Sequence, residues 1–341
     1  MIAVVFDRHG GPDVMELREM PDPEPGHGQV RVRVAGCGVN HLDLWVREGM
    51  PGVAPLPHIA GSEVSGTVDR LGPGTSSLRE GQGVIVLPGR GCGKCEYCHA
   101  GREMICPSYR VLGNGRQGGY AEFVVVEEGD CLPVTSPPSL VEWAAVPLVF
   151  QTAWHMLIDR GGLRPGQDVL VEAGGSGVGT AAIQVAMLAG ARVVATGGGA
   201  AKRDRLAAMG VDLALDSRAD DVRKCVKEWS GGRGVDLVVS HVGGDTFTES
   251  MACLARGGRL VTCGATAGPG VELDLRFVFS RELSVTGGYL GTRSDLDAVV
   301  RLVSQGRLTP VVDRVYPLAE FQEAHRRMAD RDLFGKLVLT P

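Results

Sequence analysis

The sequence predicts an α/β fold in which a β-rich domain is joined to a doubly wound parallel sheet. Three observations carry this prediction. The chain has 341 residues, enough for two domains. Up to about residue 145, β-branched runs such as VRVRVAGCGVN, EVSGTVDRLG, GVIVLPG and YAEFVVVEEG are broken by Gly and Pro. That is the pattern of short strands joined by tight turns. From about residue 146, strand and helix patterns alternate, as parallel strands with crossover helices require.

The elements follow in order. MIAVVFDRHGG reads as a first strand, too short and too charged for a secretory signal. Asp168 to Ala173 is a strand, 178–189 an amphipathic helix and ARVVAT (191–196) the next strand. AKRDRLAAMG is a helix closed by Gly210. VDLALD, DDVRKCVKEWS, GVDLVVSHV, DTFTESMACLARGG and RLVTCGA continue the alternation. From about 285 the pattern is mixed, with helices over 294–304 and 319–330 and a closing strand GKLVLTP. This last part is expected to return to the first domain. The expected domains are therefore 1–145 with 285–341, and 146–284.

Composition narrows the function. The chain is 44% hydrophobic and 22% charged, with net charge -5 and pI near 5.9. It has no basic footprint for nucleic acid and no apolar run near the ~20 residues of a membrane helix. A small-molecule substrate is the expected partner. Nine cysteines without an export signal point to a reducing, cytoplasmic setting.

Four of those cysteines, Cys92, Cys95, Cys98 and Cys106, stand as C-x2-C-x2-C-x7-C in a lobe spanning about 90–110. Four thiolates at this spacing close a tetrahedral shell around one zinc, with Zn–S bonds of about 2.3 Å. A closed shell leaves no position for substrate, so this zinc is structural. Cys37, Cys131, Cys225, Cys253 and Cys263 are scattered and read as buried thiols.

VLVEAGGSGVGTAAIQVA sets Gly174, Gly175, Ser176, Gly177, Val178 and Gly179 between a readable strand and a readable helix. Such a turn lets backbone approach a pyrophosphate at a helix N-terminus, as in a Rossmann nucleotide site. The second strand ends in Thr196-Gly197-Gly198-Gly199, with Lys202 and Arg203 just beyond. A carboxylate there would favour NADH. Its absence, with cations nearby, favours NADPH over NADH.

With NHLDLW (40–45), PHIAGSE (57–63), TAWHML (152–157), the four-cysteine lobe and the glycine-rich turn, the chain resembles the medium-chain dehydrogenase/reductase superfamily over its whole length. The resemblance implies a GroES-like catalytic domain, a Rossmann domain, an active site in the cleft between them, and dimers or tetramers. It also implies a catalytic zinc site whose usual ligands fall at Asn40, Ser62 and, near TAWHML, Leu148. None of these is a usual zinc ligand. The proton-relay position of zinc alcohol dehydrogenases is Leu42.

By the same resemblance Asp43 and Glu63 lie just behind the lost metal site. His41, Thr266, the Gly287–Leu290 turn and Tyr289 lie near the cofactor. Asn40, His41, Asp43 and Ser62 are the candidate catalytic residues. An unconventional zinc held by donors among Cys37, His41, Asp43, His58 and Glu63 stays open. Trp45, the Met50–Leu56 loop, Leu112–Gln117, Phe150 and Tyr289 are the expected pocket lining, and His155 a polar group beside it.

Hydride transfer without a metal suits an acceptor that is already electron-poor. Hydride adds to the β-carbon of an α,β-unsaturated carbonyl, and Asn40 or backbone N–H groups stabilise the enolate oxygen. Reduction of activated C=C bonds or quinones is the first expectation. Alcohol oxidation, with or without a displaced zinc, is the second. A nucleotide-binding redox sensor without turnover is the third.

Overall fold

The computed structural model describes residues 1–53 and 55–341. The chain divides into two units, Met1–Leu148 with Thr292–Pro341, and Val149–Gly291. The second unit starts later than residue 146 and runs past the expected boundary at 284. Ser284–Gly287 is the reason. It pairs in parallel with Leu254–Thr262 as a sixth strand of the second unit's sheet, so its ladder belongs there.

In the first unit a sheet runs in the order Val312–Pro317, Lys336–Thr340, Gln29–Gly38, Glu63–Leu71, Gly83–Val86 and Cys131–Pro133. Phe123–Glu127 also pairs with Gln29–Gly38. Two registers matter below. Gly38 stands opposite Glu63 on one side, while on the other Val338 stands opposite Gly38 and Leu339 opposite Cys37. Val30, Val32, Val64, Val68, Val84, Tyr120, Leu337 and Leu339 pack into one core. Each such aliphatic side chain contributes roughly 1.5–3 kcal/mol when buried.

The second unit holds six parallel strands in the order Leu213–Asp216, Arg192–Gly197, Asp168–Val171, Val235–Ser240, Leu254–Thr262 and Ser284–Gly287. In order of appearance this is 3-2-1-4-5-6, the doubly wound arrangement that opens a crevice at the carboxyl end of its first strand. Leu170, Val194, Leu215, Val238 and Leu260 form the core with Phe247 and Met251.

The helix after the first strand, Gly177–Leu188, differs from expectation. Eight of its residues are buried, from Gly177 to Ala186. GVGTAAIQVAML carries no charge, so this helix is covered on most sides rather than amphipathic.

Candidate active site and cofactor turn

Asn40 ends the extended segment after Gln29–Gly38 and caps the helix His41–Glu48. Its backbone N–H donates to Asp43 Oδ2 at 2.8 Å, the reciprocal bond of a capping box. Its side-chain amide turns into the sheet. Nδ2 donates to the Gly38 carbonyl at 3.1 Å and to Glu63 Oε2 at 3.2 Å. Oδ1 accepts from Lys336 Nζ at 2.6 Å.

The sheet registers explain how these groups meet. Continuing the antiparallel register of Val338 with Gly38 brings Lys336 level with Asn40. Glu63 arrives from the other neighbouring strand. Lys336 Nζ reaches Glu63 Oε2 at 2.8 Å and the Val39 carbonyl at 2.6 Å. Glu63 Oε1 accepts the backbone N–H of Leu148 at 2.9 Å. Glu63 is 0% and Lys336 3% exposed, so each charge is compensated where water cannot reach it. A Cβ on Gly38 would stand 2.7 Å from Glu63 Oε2. Only glycine leaves room for the carboxylate.

Behind this centre, Asp43 accepts hydrogen bonds from Gly61 N at 3.3 Å, Ser62 Oγ at 3.2 Å and Tyr120 OH at 2.9 Å, besides Asn40 N. Burial pushes the Asp43 carboxyl up to about 6 against the pull of its donors and of Lys336. Gly61, with φ of 101°, is also sterically required. A Cβ there would lie 2.6 Å from Tyr120 Cδ1 and 2.8 Å from Cys37 Sγ. His41 is half-buried with its ring edge toward Trp45, and burial followed by the Arg331 and Lys336 charges lowers its pKa.

Asn40, Asp43 and Ser62 thus form one network. Both Nδ2 hydrogens of Asn40 are engaged, so its amide offers none to an enolate unless one bond is given up. Asp43 and Ser62 are fully buried and hold the loop. Lys336 and Tyr120 are the members that sequence reasoning missed. The lysine of GKLVLTP lies almost the whole chain from Asn40, and only the register joins them.

The donors raised for an unconventional zinc have separate partners. His58 Nε2 lies 3.0 Å from the Gly113 carbonyl oxygen, Glu63 pairs with Lys336, and the Cys37 thiol is pushed well up by burial. Among the expected pocket residues, Leu112 and Phe150 are core side chains, Trp45 is half-buried and Tyr289 exposed. Gln117 ties its loop to Ile59 N at 2.7 Å and the Pro57 carbonyl at 3.0 Å. Ala54, in the Met50–Leu56 loop, lies outside the described residues. His155 is buried, and its Nδ1 lies 3.1 Å from Asp159 Oδ2.

The cysteine lobe hangs on a two-strand neck, Gly89–Arg90 against Arg110–Val111. The Sγ atoms of Cys92, Cys95, Cys98 and Cys106 lie within 4.8 Å of one another, and Cys95 Sγ is 3.6 Å from Cys98 Sγ. A tetrahedron with Zn–S bonds of about 2.3 Å has edges of roughly 3.8 Å. Cys106 Sγ also accepts the backbone N–H groups of Cys92 and Ser108 at 3.3 and 3.4 Å, the support a thiolate ligand uses. All nine cysteines are free of disulfides.

In the second unit the glycine-rich turn leaves Asp168–Val171 and enters Gly177–Leu188. Ser176 caps the helix, accepting from Gly179 N at 3.0 Å. A Cβ on Gly179 would stand 2.4 Å from the Ala173 carbonyl oxygen. The helix therefore starts tight against the strand end, and the first-turn amides of Gly177 and Val178 have no acceptor within the helix. This suits a pyrophosphate.

Ser176 Oγ is 2.8 Å from His241 Nε2, and Thr266 Oγ1 donates to the His241 carbonyl at 3.3 Å. His241, which sequence reasoning did not single out, therefore joins two expected cofactor residues. Thr196 Oγ1 is a strut that accepts from Ala173 N at 3.2 Å. Lys202 lies on the helix Ala200–Ala208, its Cβ 3.0 Å from where a Cβ of Gly197 would stand.

Comparison with known proteins agrees with this architecture. The profile of the alcohol dehydrogenase GroES-like domain matches residues 26–136, and that of the zinc-binding dehydrogenases matches 177–305. A crystal structure of an NAD-dependent alcohol dehydrogenase is 45% identical, covering 100% of both chains with TM-score 0.97. The chain is a medium-chain dehydrogenase/reductase. Its relatives in the family divide by chemistry. An alcohol dehydrogenase of Geobacillus stearothermophilus is 30% identical over 99% of each chain. The acryloyl-coenzyme A reductase of Sulfurisphaera tokodaii is 28% identical over 96% of each.

The family name implies zinc, and this chain's donor sets answer differently at two places. The four-cysteine lobe fits a closed structural zinc. The Asn40 centre does not fit a catalytic one, because a neutral amide, a buried serine hydroxyl and a leucine stand at the ligand positions and an ammonium already holds the carboxylate.

Proposed function

We propose that this protein is an NADPH-dependent reductase of activated C=C bonds, an α,β-unsaturated carbonyl or thioester, with quinones as a second acceptor class, working without a catalytic zinc. The observation that carries the proposal is the Lys336 ammonium hydrogen-bonded to Val39 O, Asn40 Oδ1 and Glu63 Oε2. An alcohol must lose a proton before it gives up hydride, and a Lewis acid assists that loss. A conjugated C=C bond accepts hydride directly. The likeness to an acryloyl-coenzyme A reductase supports this, since its named substrate is an α,β-unsaturated thioester.

Bound, the reduced nicotinamide supplies the hydride. The chain's own residues bind and orient. The Gly174–Gly179 turn receives the pyrophosphate, with His241 fixing Ser176 and Thr266. The Lys336–Glu63–Asn40 network holds the start of the His41–Glu48 helix, and backbone N–H groups are left to stabilise an enolate oxygen. Cysteines free of disulfides suit a reducing cytoplasm, and a homodimer or homotetramer is the expected assembly.

A second reading, reversible alcohol oxidation, is favoured by the 45% identity to an NAD-dependent alcohol dehydrogenase. One experiment separates the two. The purified protein is analysed for metal, then offered crotonyl- or acryloyl-coenzyme A, a quinone and an aldehyde with NADPH or NADH. One zinc per chain and NADPH consumption with the enoyl thioester or the quinone are expected. Two zincs per chain, with turnover on the aldehyde alone, would replace the first reading by the second.

A further inference from the structure

The turn that ends the Arg192–Gly197 strand is bare of side chains, and one guanidinium lies against it. In the parallel register Gly197 stands opposite Asp216, so the residues after Leu213–Asp216 rise beside Gly198 and Gly199. A Cβ placed on Gly198 would lie 3.1 Å from Arg218 Nε and 3.6 Å from its Nη2, and one on Gly199 would lie 4.0 Å from Nη1. Arg218 is exposed, and among the described residues no carboxylate forms an ion pair with it. Arg203, the other nearby arginine, is paired with Asp204 at 2.8 Å.

The Asp216 carboxylate beneath the turn is directed inward. Asp216 is buried, and its Oδ1 accepts Gly199 N at 2.7 Å and Arg218 N at 3.0 Å. It thereby fixes the backbone of both the turn and the arginine. Asp220 closes the same loop by accepting Asp216 N at 2.8 Å. A dinucleotide with its pyrophosphate on the preceding glycine-rich turn sets its adenosine ribose at the end of this second strand. There a guanidinium meets the ribose edge, where a 2′-phosphate pairs with it in two parallel hydrogen bonds and a 2′-hydroxyl does not.

We propose that Arg218 is the specificity-determining residue for the cofactor, recognising the 2′-phosphate of NADPH across the Gly198–Gly199 turn. This rests on the NADPH reading above. The sequence drew attention to Lys202 and Arg203, the next cations along the chain. The register of the neighbouring strand brings in Arg218 instead.

Calorimetric titration of the full-length protein with NADPH, NADH and adenosine 2′,5′-bisphosphate tests it without turnover. In the wild type NADPH binds more tightly than NADH. Arg218→Ala weakens NADPH and the bisphosphate about 10- to 100-fold, the weight of a lost charge-assisted pair, and leaves NADH affinity unchanged. Arg218→Lys recovers part of the loss. The position is exposed, so the melting temperature stays within a degree or two of wild type, as expected for a surface substitution. If the wild type prefers NADPH and Arg218→Ala keeps that preference, Arg218 is the wrong residue and the NADPH reading stands. If the wild type binds NADH more tightly, both fall.

Discussion

Lys336 has no hydrogen to spare. Its ammonium meets Glu63, Asn40 and Val39 within 2.6–2.8 Å while 3% exposed. Removing one partner of such a pair leaves the other charge buried and unpaired. Lys336→Met is therefore expected to cost about 3–5 kcal/mol, and adding Glu63→Gln to recover a large part of it. Urea unfolding of the two variants checks this. A cost under about 1 kcal/mol for Lys336→Met would mean that water reaches the pair and that its weight is that of a surface bridge. At this scale the sequence was legible only locally. Asn40, Ser62 and Leu148 could each be seen as poor zinc ligands, because ligand chemistry belongs to the residue. What satisfies the Asn40 amide was not visible, because Glu63 and Lys336 come from the starts of two other strands.

Among the elements, the cysteine lobe was the most legible, because all four donors lie within one short segment and spacing alone dictates convergence. Its small helix, Glu96–His99, and the turn Glu103–Ile105 bury no side chain. A zinc held by the four thiolates would supply the cohesion that apolar packing does not. Cys95→Ser is expected to release the zinc and lower Tm by roughly 5–10 °C, equivalent to about 3 kcal/mol for a domain of this size. Metal analysis and a thermal melt read both effects. Retention of a full zinc equivalent by the variant would contradict the assignment.

The helix Gly177–Leu188 teaches the opposite lesson. Its position followed from the glycine-rich turn before it, but its burial on most sides did not, since apolar residues at helical spacing are compatible with one covered face or several.

For the molecule as a whole, the second unit's sheet ends in Ser284–Gly287, which among the described residues pairs on one side only. Val285 on it is 45% exposed, and the adjoining helix Leu275–Ser280 leaves Leu275 and Phe279 about 70% exposed. An open edge flanked by apolar side chains is a template on which another chain can pair. Sedimentation analysis is expected to give a dimer or a multiple of it, and Phe279→Asp with Leu275→Asp to shift the population toward monomer. A wild type that stays monomeric at micromolar concentration would remove this edge as the interface.

By itself the sequence determined the two rhythms of strand and helix, the four-cysteine lobe, the glycine-rich turn, and the residues Asn40, Ser62 and Leu148 where the resemblance expects zinc ligands. Each depends on residues close together along the chain, where periodicity and spacing fix geometry. The tertiary structure decided which partners meet Asn40, which cation faces the Gly198–Gly199 turn, and where the second unit's sheet ends. Those outcomes depend on register between strands distant in sequence. A shift of one residue would carry Lys336 away from Asn40, or Arg218 away from Gly198, and no local pattern records it.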